Sequence, residues 1–378
     1  MKIIDPSSEV SSTGAKSSCY RLGLVMEQKL GHITHTQNLE RWLRDDKSIQ
    51  PTWLKVPGDA DDFWQKVPTI TLKDSGRAWN LVSAALREQN FDCLYYHTQA
   101  ATLLSLGIIQ RIPTIISLDA TPINFSSVAE VYREQPLHTK LFGKLKFEWF
   151  RRIFESAAAL VTFSHWAKNS LVNDYGIAPD KVTVIPPGVD LSYWHPTVKP
   201  AAKDGVLRLL FVGGDFVRKG GEVLLKAFQS GLSDRCTLDI VTKDEIPELA
   251  GSSVRVHKGL TPNSPQLRQL YTEADLFVFP TFGDCTPIVV MEAMASGLPV
   301  LATDVGALAE QVENGTNGFL VPPDDPSAIV EAVSTLVNNP QRLLAMGVAS
   351  RTKAEKFFNG EHNYKALIAL MKQCAQQY

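Results

Sequence analysis

The chain has 378 residues, more than a single hydrophobic core ordinarily serves, so two domains of roughly 150 to 200 residues are expected. Hydrophobic residues make up 44% and charged residues 21%, a balance that excludes a disordered or fibrous chain. With 38 basic against 40 acidic side chains the formal net charge is -2, so no general field draws polyanions and no nucleic-acid partner is expected.

The five cysteines, Cys19, Cys93, Cys236, Cys285 and Cys374, are scattered and never form a CxxC pair. That argues against a disulfide framework or a zinc knuckle and fits a reducing cytoplasm. The stretch MKIIDPSSEVSS lacks a long apolar run with a cleavage site, and no segment offers the ~20 apolar residues of a membrane span. A soluble or at most peripheral protein is the expectation.

In chain order, residues 1–20 read as an irregular extension. Short apolar runs then alternate with helical patterns, the signature of parallel sheets covered by helices. In the first half, strands are predicted at Leu22–Met26, Thr52–Val56, Cys93–Tyr96, Thr114–Leu118 and Leu160–Phe163. Helices are predicted near Thr36–Arg44, Gly76–Gln89 and Ala100–Leu106. Gly31, His32 and His35 follow the first strand, which sets a glycine turn and two imidazoles at the mouth of the sheet; capping or packing a helix start suits the two histidines equally well. His97 ends one strand and Asp119 the next, so both are expected to point into one crevice. The segment KLFGKLKFEWFRRIF (140–154) mixes basic and aromatic residues at helical spacing. An interior helix with a solvated basic face explains it, and so does peripheral contact with an anionic membrane.

The proline-rich stretch PPGVDLSYWHPTVKPAAKDG separates the halves, dividing the chain into 1–198, 199–360 and a terminal helix, 361–378, that packs back on the first domain. The second half repeats the pattern, with strands at Leu207–Val212, Thr237–Val241, Val254–His257, Leu276–Phe279, Val300–Ala302 and Phe319–Val321. Helices fall near Gly221–Gln229, Ser264–Glu273 and Ile288–Ala295. Two Rossmann-like α/β units result. After the first of these strands comes a glycine-rich turn, Gly213 and Gly214, with the cations Arg218 and Lys219, which suits a phosphate or an ordinary solvated loop. The loop beginning at Pro280 leads through Asp284, Cys285, Thr286, Pro287 and Ile288 to Glu292. Thr286 is expected to be an N-cap and Pro287 the first helical residue, so that free amides and the helix dipole can hold a diphosphate. Glu292, one turn on, is placed to accept bonds from ribose hydroxyls.

The segment FGDCTPIVVMEAMASGLPVLATDVGALAEQVENGTNGFLVPPDD resembles the donor site of retaining glycosyltransferases of family 4. The family signature, an acid, seven residues and a glutamate, reads here as Asp284 to Glu292, with aspartate in place of the usual glutamate. Lys219 aligns with the family lysine that holds the donor phosphates; Gly214 stands where an arginine is usual, and Arg218 is the substitute. The resemblance implies a GT-B fold, two Rossmann-like domains whose parallel sheets face a central cleft. It further implies retaining, metal-independent transfer from a nucleoside diphosphate sugar, UDP on family frequency, to a glycan, lipid or small-molecule hydroxyl, with no cofactor. His97 then lies near the transferred sugar and Asp119 lines the acceptor side. A nucleotide-sugar epimerase or a non-catalytic nucleotide- or glycan-binding scaffold would share the architecture. A dehydrogenase would need GxGxxG after a first strand, which neither half carries.

Overall fold

The computed structural model describes residues 19–29, 31–67, 69–126, 140–197, 206–246 and 253–377, without the side chains of 140–142. Of the irregular extension expected at 1–20, residues 1–18 lie outside these, as does the boundary near residue 200, and Tyr20 already begins a strand.

Two six-stranded sheets, every pairing parallel, form the frame. The first contains β1 (Tyr20–Gln28), β2 (Ile49–Pro57), β3 (Cys93–His97), β4 (Thr114–Leu118), β5 (Ala159–Thr162) and β6 (Val182–Val184), in the order β2-β1-β3-β4-β5-β6. The second contains β7 (Leu207–Val212), β8 (Cys236–Val241), β9 (Val254–His257), β10 (Leu276–Phe279), β11 (Val300–Thr303) and β12 (Gly318–Val321), in the order β12-β11-β10-β7-β8-β9. The fold is α/β, as the alternation of apolar runs predicts, and the short β6 is an addition. All five residues of β3 and of β4 are buried, because helices cover both faces and leave no polar side to alternate.

In each sheet the strand order reverses once, between β1 and β3 and between β7 and β10, and a crevice opens beyond the carboxyl ends at each reversal. The helices that shape these crevices are α1 (Gly31–Leu43) and α2 (Ile70–Glu88), the short α3 (Leu106–Ile109) and α4 (Pro122–Phe125), then α5 (Lys140–Ser156) and α6 (His165–Asn173). The second half adds α7 (Gly221–Gly231), α8 (Pro265–Glu273), α9 (Ile288–Ala295), α10 (Leu308–Gln311), α11 (Pro326–Val337), α12 (Pro340–Phe357) and α13 (Gly360–Gln377). The single helix expected at 100–106 is instead a 3-10 turn at Gln99–Thr102 followed by α3, with Ser105 starting the second piece.

The last helix returns to the first sheet: Tyr364, Leu367, Ile368, Met371 and Cys374 share one core with Leu24, Tyr95 and Ile115. The chain therefore crosses between the halves twice, and the crossings run side by side. Val189 N donates to Phe358 O, and Gly360 N donates to Val189 O, each at 2.9 Å. A Cβ on Gly188 would stand 2.3 Å from the Gly360 Cα, so this approach requires glycine. Trp194, 1% exposed, anchors the first crossing in the core of the second half.

Candidate active site

The second crevice is built from loops that leave β7 and β10. After β7, Gly213 and Gly214 lead to Gly220, which adopts φ +78° and caps α7; a Cβ there would lie 1.9 Å from Pro280 O. Only glycine permits both the left-handed backbone and this contact. A Cβ on Gly213 would stand 2.9 Å from the Lys219 Cβ, so its bare backbone leaves room for the lysine stem, while Gly214 is exposed.

Lys219 and Asp284, 65 residues apart, meet directly: Nζ lies 2.5 Å from both carboxylate oxygens. Thr281 Oγ1 donates to Asp284 at 2.9 Å, and Arg218 Nη1 stands 3.7 Å away. The ammonium also sits 5.1 Å from the centre of the Phe279 ring. Burial draws the Lys219 pKa below its ordinary value, and the Asp284 carboxylate opposes that shift. Arg218 is 6% exposed; Nη1 donates to Gly283 O at 2.8 Å and Nε to Asp215 at 3.1 Å, which ties the two loops together.

The start of α9 differs from the sequence expectation. Pro287 is itself the N-cap, because its ψ of 124° is extended and the helix begins at Ile288; no side chain caps it. Thr286 stands one residue further out, its Oγ1 buried without a hydrogen-bond partner among the described residues. α7 likewise begins with no side-chain cap, whereas Thr69, Ser164, Ser264, Asp325 and Asn339 cap α2, α6, α8, α11 and α12. Two uncapped helix starts thus sit beside Lys219, and such amides together with the helix dipoles suit an anion. Glu292 lies one turn into α9, 3% exposed, and accepts from Tyr271 OH at 3.1 Å. Burial raises its pKa to about 8. Cys285 is buried, and its carbonyl accepts from Ala307 N.

At the first crevice α1 begins at Gly31, five residues earlier than predicted, so His32 and His35 lie on the helix itself and not in a loop. Gly31 has open space where a side chain would stand. His32 Nδ1 and His97 Nε2 are 2.8 Å apart. His35 is not a cleft group: it is 2% exposed, held between Tyr95 OH at 3.3 Å and Tyr364 OH at 3.1 Å, and burial lowers its pKa to about 3. His97 is fully buried beneath the other two imidazoles; its Nδ1 has no partner among the described residues, and burial holds its pKa well down. Asp119 is partly buried and burial raises its pKa; the His32 imidazole of the same half opposes that shift, and the Asp284 carboxylate of the other half adds to it.

Charged groups that sequence reasoning missed complete this end. Glu27, at the end of β1, is 5% exposed and accepts from Thr98 Oγ1 at 3.1 Å; burial, aided by Asp74, raises its pKa to about 8. Lys29 Nζ lies 2.6 and 2.7 Å from the Asp74 oxygens. An acid closing an otherwise apolar strand was the available signal for Glu27.

The helix expected at 140–154 forms as α5. Phe150, Ile153 and Phe154 enter the core, while Leu145 and Trp149 remain exposed with Lys144, Lys146, Arg151 and Arg152. No helix among the described residues is long and apolar enough to cross a membrane.

Residues 33–193 match the model of Glycosyltransferase Family 4, and residues 207–339 match that of Glycosyl transferases group 1. The chain belongs to glycosyltransferase family 4. It is similar to a D-inositol 3-phosphate glycosyltransferase of Paenarthrobacter aurescens, 31% identical over 226 residues that cover 55% of each chain. A second such enzyme, from Nocardia farcinica, is 31% identical over 55% of this chain and 51% of its own. The chain thus spans about half the length of the curated relatives it matches. Among solved structures, sucrose-phosphate synthase from Thermosynechococcus elongatus superposes with a TM-score of 0.74 at 17% identity, covering 95% of this chain and 100% of the other. HepE of Anabaena, solved in complex with UDP-glucose, gives a TM-score of 0.69 at 15% identity over 94% and 100%. The family fold is therefore GT-B, two parallel-sheet units about a cleft.

Proposed function

We propose that the protein transfers a sugar from a nucleoside diphosphate sugar to an acceptor hydroxyl with retention of anomeric configuration and without a metal ion. One observation carries this reading: two uncapped helix starts and Lys219 converge at the β7/β10 reversal, the position where open α/β sheets bind phosphate ligands. In this mechanism the diphosphate lies at the N-terminal ends of α7 and α9. Glu292 accepts from the ribose hydroxyls. Lys219 stabilises the charge that develops on the departing phosphate, with Asp284 fixing its position. Arg218 holds the two loops in register. The first crevice brings the acceptor to the same point, where Asp119 faces the incoming hydroxyl and His32, held by the buried His97 behind it, faces the transferred sugar.

UDP is the proposed nucleotide, supported by the complex of HepE with UDP-glucose. A reducing, cytoplasmic setting accords with five unpaired cysteines. Peripheral seating on anionic lipid is supported by Leu145 and Trp149, exposed among basic side chains on α5.

A thermal-shift comparison of UDP, GDP and ADP tests the donor, with stabilisation by UDP expected. NMR of the product then reads its anomeric configuration. Isomerisation of a nucleotide sugar in the absence of any acceptor would overturn the transferase reading.

A further inference from the structure

A residue outside the donor crevice bridges the two halves of the molecule. Glu310, on α10, sends its carboxylate across to the start of α6: Oε2 accepts from His165 N at 2.8 Å and Oε1 from Trp166 N at 2.6 Å. Helix-start amides have no partner within their own helix. Those of α6 are divided between two acceptors, because Ser164 Oγ takes Ala167 N at 3.1 Å and Glu310 takes the two before it. The carboxylate also sits at the positive end of the α6 dipole.

α10 is in turn bound to the loop that carries Asp284. Ala307 N donates to Cys285 O at 3.0 Å, and Gln311 Nε2 donates to Pro287 O at 3.3 Å. Gly306 adopts φ +58°, and a Cβ on it would stand 2.1 Å from Asp284 O, so α10 follows closely behind the loop. Loop 281–287 therefore touches the proposed donor on one side and the Glu310 segment on the other. The loop is thus linked to α6 through α10 by a few hydrogen bonds. α6 follows β5 directly, so it moves with the sheet that carries His97 and Asp119.

We infer that Glu310 is a positioning residue for sugar transfer: it fastens the acceptor half over the donor loop once a nucleoside diphosphate sugar has settled that loop. Glu310 touches neither substrate and acts through α6. The inference rests on the transferase reading.

The full-length chain and its Glu310→Ala and Glu310→Gln variants are compared by hydrogen exchange of the peptide spanning 164–168, with and without UDP, and by turnover with a UDP-sugar. In the wild type UDP is expected to slow exchange of the His165 and Trp166 amides at least about tenfold, the scale of a charge-assisted hydrogen bond. In Glu310→Ala this slowing is lost, UDP affinity changes less than about threefold, and kcat falls at least about tenfold with the donor KM nearly unchanged. Glu310→Gln keeps one acceptor oxygen and recovers part of both effects. Equal protection of these amides by UDP in wild type and Glu310→Ala would overturn this inference alone. A wild-type chain that binds no UDP would overturn the donor reading and this inference together.

Discussion

Replacing Lys219 with methionine separates the two tasks assigned to it, holding Asp284 and meeting a phosphate. The substitution keeps the apolar stem beside Gly213 and removes the ammonium that lies 2.5 Å from both Asp284 oxygens. Asp284 is 7% exposed and would keep Thr281 Oγ1 at 2.9 Å and the Arg218 guanidinium at 3.7 Å. Stripping one partner from a buried pair costs about 3–5 kcal/mol, and the two surviving contacts reduce that to about 2–3 kcal/mol. Asp284→Asn in the same chain removes the stranded charge, so the double variant should regain most of this loss, with a coupling of about 1–3 kcal/mol. Activity should not follow. Without the cation the departing phosphate loses its stabilisation, and kcat falls about 10²–10³-fold in both Lys219→Met and the double variant. Urea unfolding of wild type, Lys219→Met, Asp284→Asn and the double variant, set beside turnover with a UDP-sugar, reads both quantities. A Lys219→Met chain as stable as wild type, or a double variant no more stable than Lys219→Met, would refute the argument.

A carboxyl whose folded-state pKa is raised favours the folded chain while it stays protonated; its effect is complete below about pH 4.5 and is lost as pH climbs through about 8. Melting temperature should therefore fall between about pH 4.5 and 8 and level off above that, and fall by less in Glu27→Gln and Glu292→Gln, as a scanning-fluorimetry series would record. Gly306→Ala places a methyl 2.1 Å from Asp284 O at a positive φ and should destabilise the chain by about 2–4 kcal/mol in the same urea assay. His32→Ala removes the 2.8 Å partner of His97 and should lower kcat about tenfold, with UDP affinity unchanged by titration calorimetry.

The strand pattern was legible where helices bury both faces of the sheet: β4, β7 and β10 match the apolar runs residue for residue, and so does the partly exposed edge strand β9. Loops were less so. Sequence spacing placed Thr286 as the cap of α9, but the extended ψ at Pro287 moves the helix start one residue on, a backbone detail that composition does not encode. The two histidines near Gly31 looked alike in sequence. Helical geometry separates them, leaving His32 beside the cleft and turning His35 inward between Tyr95 and Tyr364, the second of which comes from the far end of the chain. Long-range partners account for the rest. The Lys219–Asp284 pair, the Tyr271–Glu292 bond and the Glu310 contact with α6 join positions that share no local pattern, and Glu310 reads in isolation as an ordinary helix-surface acid.

The central claim is that the donor binds at the β7/β10 reversal in the second half. Calorimetric titration of UDP into wild type, Lys219→Met, Glu292→Ala and Glu27→Gln tests it most directly. Affinity should drop at least about tenfold in the first two variants, each losing a charge-assisted or ribose contact, and stay within about twofold in Glu27→Gln. Wild-type affinity in Lys219→Met and Glu292→Ala, with loss confined to Glu27→Gln, would contradict the account.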